Sequence, residues 1–179
     1  MRKLFFAALA LTMAVSLSGC SLTDKLMNKA GEKIGEKIVE EATNSELDIT
    51  NNQVTVNTNE GSTTWGENLS LPDDFPIDVP MYSGANIATS TTDTSSNAFY
   101  ITMISSDDFK TISDYYEAEI ENKGWTTENA SSYNSESGKS TTYIATKDNR
   151  DLTVGLYETT GETTADVSIT ISVSETISE

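Results

Sequence analysis

The chain has 179 residues, with 28 Asp and Glu against 11 Lys and Arg, no His and a single Cys. A net charge of −17 argues against a nucleic-acid partner, because phosphate binding runs on clustered Lys and Arg. The missing His removes the commonest general base and metal ligand together, and the lone Cys leaves no disulfide.

Arg2 and Lys3 form a short basic start, and residues 4–17 are an uncharged, mostly apolar run. That length suits a secretory signal and falls short of the roughly 20 apolar residues of a membrane span. The run ends Leu17-Ser18-Gly19-Cys20, which resembles the lipobox of bacterial lipoprotein signals. The resemblance implies that a signal peptidase reads Leu17, Ser18 and Gly19, that residues 1–19 are removed, and that Cys20 carries the lipid. Two acyl chains, at about 0.8 kcal/mol per methylene, hold a membrane stably where one is marginal. Ser21 stands where an inner-membrane retention Asp would stand. The expected location is therefore the cell envelope: the outer membrane, or the outer face of a single cell membrane. Cleavage takes Arg2 and Lys3 and no acid, so the mature chain carries −19.

Residues 20–43 read as the lipid anchor and a membrane-proximal helix. Leu22, Leu26, Ala30, Ile34, Ile38 and Ala42 recur every fourth position, so their stripe winds around a helix of 3.6 residues per turn. Gly31 and Gly35 each cost about 1 kcal/mol relative to Ala. The segment reads as a stalk; the alternatives are a Gly31-x-x-x-Gly35 contact with a partner helix and a helix lying on the membrane surface.

Residues 44–70 read as a polar linker with a possible hairpin. Gln53 to Thr58 alternates as a strand, Asn59-Glu60-Gly61 turns, and Ser62 to Trp65 returns. The hairpin either packs on the domain through Val54, Val56 and Trp65 or stays with the linker. Pro72, Pro76 and Pro80 then hold an extended lead-in.

Residues 71–179 read as one acidic domain. Strands are expected at 85–88, 98–104, 141–146, 152–157 and 167–173. In the last, Val167, Ile169, Ile171 and Val173 alternate with Ser168, Thr170, Ser172 and Ser174. One helix lies between the second and third, capped by Ser106 or Asp107, with Phe109, Ile112, Tyr116 and Ile120 on one face. Gly124 is placed to end it in a left-handed turn, with Trp125 folding back on Ile120. The order β-β-α-β-β-β predicts an α+β fold: an antiparallel sheet with one packed helix.

Leu71-Pro72-Asp73-Asp74-Phe75-Pro76, Val79-Pro80-Met81-Tyr82-Ser83-Gly84-Ala85, Tyr115-Tyr116 and Lys123-Gly124-Trp125 together are similar to motifs of small exported bacterial domains. Those domains open on P-x-Y-P-G-A and carry a helix ending in G-W. The resemblance covers residues 71–157, departs at Ser83 where proline is usual, and implies no catalytic residues.

Chemistry-bearing patterns are few. Asp148-Asn149-Arg150-Asp151 lacks the glycine and closing Glu of a calcium loop and reads as a hairpin turn. Asp73, Asp74 and Asp78 read as solvated acids, with a cation site as the alternative. Tyr82, Tyr100, Tyr115, Tyr116, Trp125 and Tyr133 either fill the core or present an aromatic surface for sugar or peptide. The tract Thr89 to Asn97 reads as a flexible loop. The functional expectation is a lipid-anchored, non-catalytic binding or envelope-assembly module with no cofactor and no metal. Its partners are the membrane, through Cys20, and an envelope protein. The alternative is a carboxylate-dependent hydrolase, and two facing acids in a large pocket would mark it. A shallow sheet face rich in Ser and Thr would mark the module.

Overall fold

The computed structural model describes residues 45–50, 52–136, 138–159 and 166–176. The signal segment, Cys20 and the membrane-proximal helix expected within residues 20–43 lie outside the described residues. The chain divides into units of residues 1–47 and 48–179, and the second carries the fold described below.

Nine strands form one sheet: β1 (Glu46–Thr50), β2 (Gln53–Thr58), β3 (Gly61–Gly66), β4 (Asn86–Asp93), β5 (Ala98–Ser105), β6 (Thr126–Ser135), β7 (Gly138–Lys147), β8 (Arg150–Thr159) and β9 (Val167–Glu175). Their spatial order is β1-β2-β3-β4-β5-β9-β8-β7-β6. All pairs from β2 to β9 are antiparallel. The one helix among the described residues, α1 (Phe109–Asn122), joins β5 to β6. The chain leaves β5 in the middle of the sheet and must cross β9, β8 and β7 to begin β6 at the far edge. Four strand spacings make about 19 Å, and fourteen helical residues span about 21 Å.

The expected α+β arrangement, β-β-α-β-β-β, is therefore corrected to a predominantly β architecture. Strand β6, Thr-Thr-Glu-Asn-Ala-Ser-Ser-Tyr-Asn-Ser, has no apolar alternation and is exposed along nearly all its length. It is held by backbone pairing with β7 alone among the described strands. The tract from Thr89, expected to be a loop, continues β4 to Asp93, and only Thr94 to Asn97 turns. The β2–β3 hairpin joins the sheet through pairs such as Trp65↔Thr89 and Thr63↔Thr91. Val54 is buried, and Val56 and Trp65 are half-buried. Strand β6 and the far end of β4 escape a reading by periodicity because their side chains bury little; the neighbouring backbone satisfies their N–H and C=O groups.

The core lies between α1 and one face of the sheet. Phe109, Ile112, Tyr116 and Ile120 meet Ile101, Met103, Leu152, Val154, Leu156, Val167, Ile169 and Ile171, most of them with no exposed surface. Asp108, one residue beyond the expected caps, ends the helix by accepting from the Thr111 N–H at 3.0 Å; the Thr111 hydroxyl also donates to its carboxylate. At the other end Trp125 N–H donates to Ile120 O (3.1 Å) and Gly124 N–H to Glu121 O (2.9 Å), with Gly124 at φ 81°. This is a Schellman stop, and it returns Trp125 to the core at 2 % exposure.

Candidate functional site

The lead-in from Leu71 to Ala85 packs on the same side as α1, and the resemblance motifs meet there. Tyr82, Tyr115 and Tyr116 stack edge to face in sequence, with ring centroids 5.1 Å apart in each pair. Tyr115 donates to Met81 O (2.7 Å) and Tyr82 to Asp107 Oδ2 (2.6 Å). That hydrogen bond to an anion pushes the Tyr82 phenol up to about 12. A Cβ on Gly84 would stand 2.5 Å from the Asp107 carboxylate and 2.7 Å from the Tyr82 ring, so a larger residue there would have to displace that hydrogen-bonded pair. Tyr82, Tyr115, Tyr116 and Trp125 thus belong to the helix packing. Tyr100 and Tyr133 lie elsewhere, at 46 % and 67 % exposure.

Of the three acids that read as solvated, with a cation site as the alternative, Asp78 is already matched by two cations. Arg150 donates Nη1 to Oδ1 (2.9 Å) and Nη2 to Oδ2 (2.7 Å), and Lys147 Nζ adds 2.6 Å. The Arg150 bonds, then Lys147, hold the Asp78 carboxyl well below the usual range against the opposing cost of burial. Arg150 belongs to the Asp148–Asp151 stretch, whose Asp148 adopts φ 54° in the β7–β8 turn. The former calcium-loop candidate is a hairpin turn whose arginine grips the lead-in.

Glycoside chemistry needs a general acid of raised pKa, so the described carboxylates whose pKa is shifted are informative. Those that depart from the ordinary value, Asp78, Asp93 and Asp108, all move down. For Asp93 burial pushes up, and hydrogen bonds from Ser95 and Ser96 outweigh it; for Asp108 the Thr111 bonds dominate. A groove of about 240 Å³ opens between α1 and the β6–β7 hairpin, beside Phe109, Ser113, Ser132 and Lys139. Its one carboxylate, Asp114, is tied to Lys110 at 2.6 Å. Among the described residues no three His, Cys, Asp or Glu gather as metal ligands, and no helix is long and apolar enough to cross a membrane.

The opposite face of the sheet is different in kind. Its side chains fall in rows that run across the strands, and three consecutive rows hold no charged residue. The first is Tyr133, Ser140, Tyr157, Ser168, Ile104 and Asn86. The second is Ser131, Thr142, Gly155, Thr170, Thr102, Thr89, Trp65 and Val54. The third is Asn129, Ile144, Thr153, Ser172, Tyr100, Thr91, Thr63 and Val56. Half of these positions are Ser or Thr. Ile104, Ile144 and Tyr157 stand exposed at 37 %, 42 % and 49 %. Acids border these rows at Asp93 and Asp151 in the next row and at Glu128 in the β6 bulge, whose carboxylate accepts from the Thr146 hydroxyl at 3.2 Å.

This surface is built as well as uncharged. A Cβ on Gly155 would stand 2.8 Å from Tyr157 Cε2 and 3.1 Å from its hydroxyl, so the ring leans along its strand over bare backbone. Thr170, across from Gly155, donates to its carbonyl at 3.3 Å. The sequence signals Tyr100 and Tyr133 as aromatics without a certain place. It passes over Tyr157, which sits in an alternating strand and becomes visible only once β8 is registered against β7 and β9.

The model of a START domain-like family matches residues 86–174, the stretch from the start of β4 to near the end of β9. No curated protein and no solved structure matches the chain.

Proposed function

We propose that this protein is a non-catalytic ligand-binding module, held at the cell envelope by lipid on Cys20, with the uncharged sheet face as its binding surface. The observation that carries the reading is the contrast between the two faces. The helix side is filled with apolar side chains, and Asp78, Arg150 and Lys147 match one another there. The other side carries three rows rich in hydroxyl groups, with Tyr100, Ile104, Tyr133, Ile144 and Tyr157 exposed to solvent. Solvent-exposed aromatic and aliphatic side chains gathered on one face are a recurrent feature of binding surfaces. The similarity to a START domain-like family supports a ligand-binding role for the same stretch of chain. The filled interior and the low-pKa carboxylates weigh against the hydrolase.

The anchor rests on the lipobox-like Leu17-Ser18-Gly19-Cys20 at the end of a short apolar run. Cells fed labelled palmitate should incorporate it into the wild-type chain and not into Cys20→Ala, which should accumulate as precursor. Equal labelling of the two removes the anchor from the proposal. Cross-linking in native membranes from Thr142, in the centre of the face, captures a ligand or partner. Capture from Lys110 on α1 and none from Thr142 would move the binding surface to the helix side.

A further inference from the structure

We infer that the ligand of this face is an uncharged polysaccharide, its sugar rings stacked along the row that holds Tyr133, Tyr157 and Ile104. The inference rests on the binding-module reading and names its ligand class.

The row alternates large and small. Ser140 separates Tyr133 from Tyr157, and Ser168 separates Tyr157 from Ile104. Each pair of ridges is thus two strands apart, about 9.6 Å at the usual strand spacing. In an extended β-1,4-linked glycan successive rings are flipped, so the same C–H face returns at every second ring. A ridge at every second strand meets that repeat, with the intervening serines leaving room for the flipped ring. Tyr157 is shaped for such contact, because its ring leans over Gly155 instead of standing off the sheet. A tyrosine so placed offers an apolar ring face and a polar tip to one ligand. Alongside run Thr142, Thr170 and Thr102, whose hydroxyls rotate to donate or accept and so suit sugar hydroxyls.

Charge narrows the class. The chain carries −17, so polyanions and acidic lipid headgroups are repelled at long range, and the face has no Lys or Arg to hold them. Cationic ligands find no carboxylate in the three rows. A protein partner is the weaker match, since interface cores favour Met, aromatic and Arg side chains and are depleted in Ser. A second copy packed face to face would have to interdigitate apolar inner faces, and this one is half hydroxyl residues.

The test is affinity electrophoresis of the lipidated full-length protein in detergent, through gels containing hydroxyethyl cellulose or glycol chitin, with alginate as the anionic control. The expected result is retardation by at least one neutral polymer, none by alginate, and no weakening as salt rises. Tyr157→Ala and Tyr133→Ala each weaken retardation about tenfold at an unchanged unfolding midpoint, and Tyr133→Leu does the same by removing only the ring. Lys110→Ala, on the helix side, leaves it intact. Failure of both neutral polymers to retard the protein, or retardation indifferent to Tyr157→Ala and Tyr133→Ala, overturns the inference. A photo-cross-linker at Thr142 separates the two readings in cells. Capture of a protein, or of a second copy, without polymer binding overturns the polysaccharide and keeps the module; capture of nothing overturns both.

Discussion

Arg150 holds the Asp78 carboxylate through two parallel hydrogen bonds and lays the same guanidinium over the Trp125 ring, 5.0 Å from its centroid. Trp125 in turn donates its indole N–H to the Asp78 carbonyl at 2.8 Å. Three distant pieces of chain meet here: the proline-bracketed lead-in, the residue after the helix stop, and the β7–β8 turn. With no disulfide available, this polar latch and the core behind it close the helix side of the domain.

Breaking the latch should cost stability in a pH-dependent way. Asp78→Asn leaves Arg150 and Lys147 without their anion, a loss of about 1–2 kcal/mol at neutral pH. The folded-state pKa of Asp78 is depressed, so its stabilisation is complete above the unfolded value near about 4 and disappears as pH falls through the folded value. Urea denaturation should therefore show a wild-type advantage that is constant from pH 5 to 8, approximate bounds set by the carboxylate range, and that shrinks in acid. An advantage that persisted undiminished at the acid end would mean that Asp78 stabilises by some other route.

The helix stop separates a backbone effect from a core effect. Trp125→Ala removes a ring that is 2 % exposed and should cost about 3–5 kcal/mol. Gly124→Ala places a Cβ whose nearest neighbours, on the Lys147 side chain, stand at 3.7 Å, so only its φ of 81° is penalised, by about 1 kcal/mol. Trp65→Ala, at a half-buried site on the other face, should fall below Trp125→Ala. Chemical denaturation of the three variants gives the order directly.

Gly155 and Tyr157 should behave as one unit. Gly155→Ala drives a methyl to 2.8 Å from the Tyr157 ring and 2.7 Å from Thr170 Oγ1, an overpacking cost of about 1–3 kcal/mol. In a Tyr157→Ala background much of that cost is relieved. A double-mutant cycle should return a coupling of at least about 0.5 kcal/mol; additive effects would mean that the ring does not rest on the glycine.

The hairpin should share the fate of the sheet. Limited proteolysis is expected to leave a resistant fragment that retains Gln53 to Gly66, because β3 is hydrogen-bonded to β4 along five residue pairs. A chain begun at residue 71 would expose the β4 edge from Thr89 to Asp93 and associate through it. Light scattering of that shorter chain checks the second outcome. Resistance of a fragment beginning at Leu71 would contradict both.

What the sequence by itself determined is whatever depends on neighbours a few residues apart. The face Phe109, Ile112, Tyr116, Ile120 follows from helical spacing, the stop at Gly124-Trp125 from one residue that tolerates positive φ, and β8 and β9 from period-two alternation over a buried face. The tertiary structure decided what depends on register. Strand β6 and the polar half of β4 exist because backbone groups far apart in sequence pair with them, and no side-chain periodicity announces such pairing. The candidate site is legible only at that level. Tyr133, Tyr157 and Ile104 are separated by long stretches of chain, and they share a row because the ladders of β6, β7, β8, β9 and β5 align them. A shift of one residue in any of those ladders would turn that strand's side chains to the other face and break the row.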